Sequence, residues 1–282
     1  MIKTILVPVS GTASDADVCA TALALAEPLG AHLALHHVRL TTAEAALHMP
    51  HMAYCVGSGL PDAFDFLARQ VDALAVGAKA HVIDFCHQRG IALAPDTEGT
   101  ITASWSEECR VPEENLLDRV RHADLTVVGR PRQTDYMPLD LIEKLLMEGG
   151  RPLVIASDEA PPATIGTIMV GWQEKPEAAR ALTAALPLLR IARRVILVEI
   201  FRKRPVEPTL ANLGRHLERH GIYAEVLEVQ EPFTPAEAAL PALARKARAD
   251  LLVVGGYSKE MLFGGVTRTV IDGAAVPVFL LH

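Results

Sequence analysis

The chain has 282 residues, half of them hydrophobic and 5% aromatic, with a formal net charge of −7. Its length suits two domains of about 100–150 residues each. The negative charge, with no block of Lys and Arg, argues against nucleic acid as a partner. No uncharged apolar run reaches the length of a membrane span, and the apolar N-terminal run is too short for a signal peptide. We therefore expect a cytoplasmic protein that binds no membrane.

The first half begins with an apolar strand and a polar turn. The turn Ser10–Asp15 leads into a helix, with Ser14 or Thr12 expected as its N-cap. Residues 41–60 then show no clear period and are interpreted as an enlargement of this half. A segment of that kind is a lid, a binding segment or a plain surface insertion. From Pro61 a helical pattern runs to about Arg89.

The cysteines and histidines are the side chains that could form disulfides or bind a metal ion. The chain has 4 cysteines at wide spacing, with no C-x-x-C pair, so we expect reduced cytosolic thiols. His48, His51 and Cys55 lie close enough in sequence to supply metal ligands. The order His-x2-His-x3-Cys offers no fourth ligand, however. We predict irregular loop residues there and no metal site.

The second half has the clearer pattern of strands and helices. Strands are predicted at Ile165–Trp172, Val195–Phe201, Tyr223–Val229, Leu251–Gly255 and Val276–Leu281. Helices are predicted at Pro176–Leu189, Leu210–His220, from the capping box Thr234–Glu237 to about Arg248, and near Thr267–Asp272. This alternation predicts βαβ units around a parallel sheet.

The two halves also repeat each other. Three segments of the first half recur in order in the second: Ile2–Val7 as Ile165–Val170, Ala123–Gly129 as Ala249–Gly255, and Arg151–Ile155 as Val276–Leu280. Repeated segments in the same order indicate a duplication. We predict a first domain over residues 1–157 and a second over residues 163–282, joined by a short Pro-rich link.

The repeated segments resemble the universal stress protein family. Its members share an Ile-Leu-Val strand start, an Ala-Asp-Leu-x-Val-Val-Gly strand and a closing Pro-Val strand. Val253–Ser258 followed by Phe263–Arg268 is similar to the second domain of tandem bacterial members. The resemblance implies an α/β fold: two tandem, doubly wound, five-stranded parallel-sheet domains of the adenine nucleotide alpha hydrolase type, related by a pseudo-two-fold axis. In that family some members bind ATP and others do not.

The resemblance also implies where a nucleotide would bind. In binding members an Asp ends the first strand and a glycine loop after the fourth strand holds the phosphates. In the second half these positions fall on Gly171, Gln173, Gly255, Gly256, Ser258, Gly264, Gly265, Val266 and Thr267.

This site is degenerate in both halves. Ser10 and Gln173 replace the family Asp, Ser258 replaces a glycine, and the spacer before Gly264 is short. In the first half Pro131 has no N–H to offer a phosphate. We expect no ATP or AMP in the first half and weak or no binding in the second, so no cofactor is certain.

No nucleophile with a matching base can be assembled from the sequence. We therefore predict a stress-response binding or adaptor protein that is not an enzyme, with an unknown small-molecule or protein partner. One alternative is an ATP or AMP sensor that uses the second domain. Another is a degenerate PP-loop-like adenylating enzyme, because Ser10–Asp15 is similar to the S-G-G-x-D-S phosphate loop of that class.

Each half ends in an apolar strand that begins with a proline, Pro152 or Pro277. Proline in sheets is confined to strand starts and edges, and an exposed apolar edge is a template for pairing. We predict that Leu153–Ile155 pairs antiparallel with Val278–Leu280 inside one chain. The possibility of a further homodimer stays open.

Overall fold

The computed structural model describes residues 1–47, 60–93, 101–130, 139–158, 161, 163–201, 209–231, 236–256, 270–271 and 273–282. The strands are β1 (Thr4–Pro8), β2 (His32–Arg39), β3 (Ala92–Leu93), β4 (Thr102–Cys109), β5 (Leu125–Val128), β6 (Leu153–Ile155), β7 (Thr167–Trp172), β8 (Arg194–Phe201), β9 (Ala224–Gln230), β10 (Leu251–Gly255) and β11 (Val278–Leu281). The helices are α1 (Asp15–Ala26), α2 (Thr42–Leu47), α3 (Leu60–Arg89), α4 (Pro112–His122), α5 (Leu139–Glu148), α6 (Pro176–Ile191), α7 (Thr209–Arg219) and α8 (Ala236–Lys246).

The described strands form one continuous sheet. Its order is β3-β4-β2-β1-β5-β6-β11-β10-β7-β8-β9. Starting from the first strand of each half, the order to either side is the same apart from the outermost strand β3, so the two halves repeat one topology. The pairings inside each half are parallel. The predicted doubly wound α/β fold is therefore confirmed.

The two halves meet at their last strands. β6 and β11 pair antiparallel, with Val154 opposite Phe279 and Leu153 opposite Leu280. These are the two apolar edges that the proline placement marked in the sequence. All four side chains are fully buried, so each edge covers the other. Arg130 adds a polar contact across the same junction, because its guanidinium donates to the Ala274 carbonyl oxygen.

Helices cover both faces of the sheet. Buried residues of α1, α3, α6 and α7 form one apolar core, and those of α4, α5 and α8 form the other. β1 supplies both cores, since Ile5 and Val7 face the first and Leu6 faces the second. Parallel strands buried on both faces read as continuous apolar runs, which is why the sequence marks them clearly. In the described part of the chain no helix is long and apolar enough to span a membrane.

Two features of the first half differ from the sequence prediction. The first half has a sixth strand, β3, which pairs with the start of β4, where five strands were expected. A strand of two residues has no period that a sequence pattern could reveal. The segment 41–60 is also not wholly irregular, because it contains α2. Thr41 and Glu44 form a capping box there: the Thr41 N–H donates to the Glu44 carboxylate (2.8 Å), and the Glu44 N–H donates to the Thr41 hydroxyl (3.2 Å).

Candidate functional site

In a doubly wound sheet, ligands bind at the carboxyl ends of the strands, where the strand order reverses. In the first half this place lies beyond β1, at the turn Ser10–Asp15. Asp15 is only 3% exposed. Its carboxylate accepts hydrogen bonds from the Ser10 N–H, the Gly11 N–H and the Ser10 hydroxyl, each at 2.8 Å. The side chain of Asp15 therefore organises the whole turn.

The hydroxyl groups of the turn bind one another. The Ser10 and Thr12 hydroxyl oxygens lie 2.8 Å apart, as do those of Thr12 and Ser14. Ser14 does occupy the N-cap position of α1, as one reading of the sequence expected, but its side chain makes no capping hydrogen bond. The hydroxyl groups that made this turn similar to a phosphate loop are thus engaged inside the turn.

Helix α3 closes over the same turn. Its 30 residues extend about 45 Å at 1.5 Å per residue, so α3 reaches well past the ends of the strands. His81 Nδ1 of α3 lies 3.0 Å from Asp15 Oδ2. Gly11 has a φ of +85°, and a Cβ placed on it would lie 2.1 Å from the Leu74 carbonyl oxygen. The backbone of α3 is therefore in direct contact with the backbone of the turn.

Among the described residues, a small cavity lies at this edge of the first half. Val9, His36, His37, Leu40, Val71 and Leu74 line a cavity of about 50 Å³ there. Pockets that bind drug-sized ligands usually measure about 300–1,000 Å³. The buried His37 is fixed by a 2.7 Å hydrogen bond to the Val9 carbonyl oxygen and stacks on Trp105. In the described residues, this crevice has room for a few water molecules and not for a nucleotide.

In the second half, Gly171 and Gln173 lie at or beyond the end of β7. Gly171 faces α8, and a Cβ there would lie 3.1 Å from the methyl groups of Leu240. Gln173 is exposed, and its carbonyl oxygen accepts a hydrogen bond from the Lys175 N–H at 2.7 Å. Trp172, between them, was missed in the sequence analysis. Its indole Nε1 is buried and has no hydrogen-bond partner in the structure as described.

Gly255 ends the neighbouring strand β10, and Gly256 follows it. A Cβ on Gly255 would lie 2.6 Å from the Ala178 backbone nitrogen, so this glycine lets the first turn of α6 approach the strand end. The Gly256 N–H donates to the Leu281 carbonyl oxygen at 2.7 Å. A Cβ on Gly256 would lie 3.2 Å from Leu146 of α5, at the junction of the halves. Close packing therefore explains why both positions hold a glycine.

Several predicted site residues lie outside the described part of the chain: Ser258, Gly264, Gly265, Val266 and Thr267 of the second half, and Pro131, His48, His51 and Cys55 of the first. Among the residues that are described, no group of three or more His, Cys, Asp or Glu side chains could hold a metal ion. Of the predicted nucleotide site, the structure therefore brings Gly171, Gln173, Gly255 and Gly256 to one sheet edge.

The fold is that of universal stress proteins. The chain matches a universal stress protein from Archaeoglobus fulgidus DSM 4304 with a TM-score of 0.69 and 14% identity, over 99% of this chain and 95% of that one. It matches a Pseudomonas aeruginosa UCBPP-PA14 protein, provisionally assigned to the same group, with a TM-score of 0.55 and 16% identity, over 99% and 93% of the two chains. It also matches a functionally unknown protein from Pseudomonas aeruginosa PAO1 with a TM-score of 0.53 and 15% identity, over 99% of this chain and 92% of that one.

No family model and no curated protein matches the sequence. At identities of 14–16% the similarity establishes the fold. The resemblance inferred from the repeated strand segments is confirmed at that level, and it extends over both halves.

Proposed function

We propose that this chain is a binding or adaptor protein of the universal stress protein type, which acts in the cytoplasm by binding rather than by chemical turnover. The observation that carries the proposal is the closed crevice of the first half. Asp15 and α3 occupy the strand ends where the fold would otherwise hold a ligand. The first half then serves as a scaffold that pairs through β6 with the second half. The equivalent strand ends of the second half are formed by different residues.

The chemistry of the described side chains supports binding without turnover. A serine nucleophile needs a histidine to accept its proton, but the Ser10 hydroxyl donates to Asp15, and His81 contacts the same carboxylate. Burial raises the pKa of the Cys19 and Cys86 thiols, so both stay protonated and unreactive near neutral pH.

A second candidate function is nucleotide sensing by the second half. The observation that favours it is the buried Trp172 indole N–H at the end of β7, which has no hydrogen-bond partner among the residues that the structure describes. Buried polar groups normally have a partner, so an unpaired donor at a ligand-binding edge is a candidate contact for a bound molecule. ATP or AMP is the ligand to test, since the predicted nucleotide residues Gly171, Gln173 and Gly255 lie on the same edge.

Calorimetry on the full chain separates these readings. For an adaptor, ATP and AMP give no binding heat, or weak binding that does not depend on the first half. For a sensor, binding occurs and Trp172→Phe weakens it by about tenfold or more, because a hydrogen bond to a charged or polar ligand group is lost. Incubation with ATP should yield no ADP, AMP, phosphate or pyrophosphate. Sustained release of any of these products by purified protein would overturn the proposal of binding without turnover.

A further inference from the structure

A polar pocket lies on the α4 face of the first half, apart from the turn Ser10–Asp15. It lies between α4 and the strands β1, β2 and β4, and its volume is about 370 Å³. Its charged and polar wall consists of Glu108, Arg110, Asn115, Asp118, Arg119 and His122. Its apolar floor consists of Leu6, Ala34 and Ala123. We call it the α4 pocket.

A buried chain of hydrogen bonds supports one wall of the α4 pocket. His36 is 0% exposed and Asn115 is 1% exposed. His36 Nδ1 lies 2.9 Å from the Ser106 hydroxyl and His36 Nε2 lies 2.7 Å from Asn115 Oδ1. The Asn115 amide then donates to Glu108 at 2.6 Å, and Arg119 donates to the other carboxylate oxygen. Burial lowers the pKa of His36, which keeps the imidazole neutral within this chain.

The second half, which repeats the same topology, shows that the fold does not require this chain of hydrogen bonds. The register of β8 on β7 matches that of β2 on β1, so Val198 occupies the position of His36. By the same register Leu227 replaces Ser106 and Val229 replaces Glu108. Burying polar groups costs stability even when they are bonded, whereas Val198 fills its place without that cost. The polar chain is therefore a specific feature of the first half.

The chain of hydrogen bonds holds Glu108 as an anion. Its two described partners leave some of its acceptor positions open. Hydrogen bonding to Arg119 lowers the Glu108 pKa, so the side chain stays ionised at neutral pH. An ionised carboxylate offers about four acceptor positions, and two are used by Asn115 and Arg119. Since the side chain is partly exposed to the pocket, the remaining positions can accept from the ammonium group of a ligand.

Arg110 supplies the opposite charge two residues further along. Its guanidinium lies 3.8 Å from Asp118, an ion pair beyond hydrogen-bond distance. Its N–H donors can thus bind a carboxylate in the bidentate way that guanidinium favours. Both side chains line the α4 pocket, Glu108 from the last residues of β4 and Arg110 from the position just after that strand. Glu108 and Arg110 therefore present an anion and a cation to one pocket.

We propose that the α4 pocket binds a free α-amino acid. The ammonium group of the ligand contacts Glu108, its carboxylate contacts Arg110, and its side chain lies over Leu6, Ala34 and Ala123. A ligand with both charges on neighbouring groups satisfies the two signs of the wall together, whereas a simple anion would face the Glu108 and Asp118 carboxylates. In the described part of the second half this charge pair is missing, because Val229 and Glu231 take the places of Glu108 and Arg110.

Calorimetry with each of the twenty common L-amino acids, on the full chain, tests the proposal. At least one should bind with a Kd below about 1 mM, and its N-acetyl and amide derivatives, which each lack one charge, should bind at least about tenfold more weakly. Arg110→Ala should cause a similar loss, while Arg194→Ala, which removes a partly exposed arginine of the second half (side chain 43% exposed against 51% for Arg110), should leave the Kd unchanged.

The proposal is overturned if no amino acid binds, if the N-acetyl and amide derivatives bind as well as the parent, or if Arg110→Ala binds like the unaltered chain. The comparison of derivatives uses unaltered protein, so it decides the question even if a variant folds poorly. Equal binding of inorganic phosphate in place of the amino acid would also refute it, since that would make the pocket a general anion site.

Discussion

The contact between Gly11 and α3 permits a quantitative test of the closed crevice. Gly11→Ala combines two unfavourable effects. The φ of +85° costs an alanine about 1–2 kcal/mol. The added Cβ would also lie 2.1 Å from the Leu74 carbonyl oxygen, which belongs to the helix backbone and cannot rotate away. Overpacking of this kind costs about 1–3 kcal/mol more.

Gly221→Ala is the matched control. Gly221 has a φ of +75°, and nothing lies within 4 Å of a Cβ placed on it. Both variants share the backbone strain and the gain of about 0.4–1 kcal/mol from a less flexible unfolded chain. The difference between them therefore isolates the collision with α3.

Urea unfolding and thermal melting of the two variants provide the measurement. We expect Gly11→Ala to be less stable than Gly221→Ala by about 1–3 kcal/mol, with a Tm lower by about 2–12 °C. Hydrogen exchange should become faster in α3 in the first variant only. Equal stability of the two variants would show that α3 does not lie against the turn, and the argument that the first half has no room for a nucleotide would fail.

Three further predictions address other parts of the structure. A thiol reagent should modify the exposed Cys109 in the folded protein and reach Cys19 only after unfolding; rapid labelling of Cys19 would contradict its burial. By NMR, His36 should titrate below the usual pKa of about 6.5, because burial disfavours its charged form. Its contribution to stability is then complete above that pH and declines as the pH falls below it, so a midpoint at or above 6.5 would be inconsistent. Val154→Cys combined with Phe279→Cys should form a disulfide within one chain, and exclusively intermolecular bridges would refute the pairing of β6 with β11.

Local patterns in the sequence determined the architecture. The repeated segments indicated a duplication, and the alternation of apolar runs and helical periods predicted the doubly wound fold. Pro152 and Pro277 marked strands at an edge, and the pairing of β6 with β11 followed because both edges are apolar. Such features are readable because each depends on residues close together in the chain. The Thr41–Glu44 capping box was readable in the same way and was overlooked.

The sites were decided by contacts between distant parts of the chain. His81 meets Asp15 across 66 positions, and Asn115 meets His36 across 79. Neither pair has a sequence signature, because a buried histidine and an exposed one look alike until the packing of α3 and α4 on the sheet is known. The periodicity of a helix fixes which of its faces is apolar, but not how far past the strand ends it extends. Tertiary packing therefore decided that α3 closes the first crevice and that a polar pocket opens beside α4.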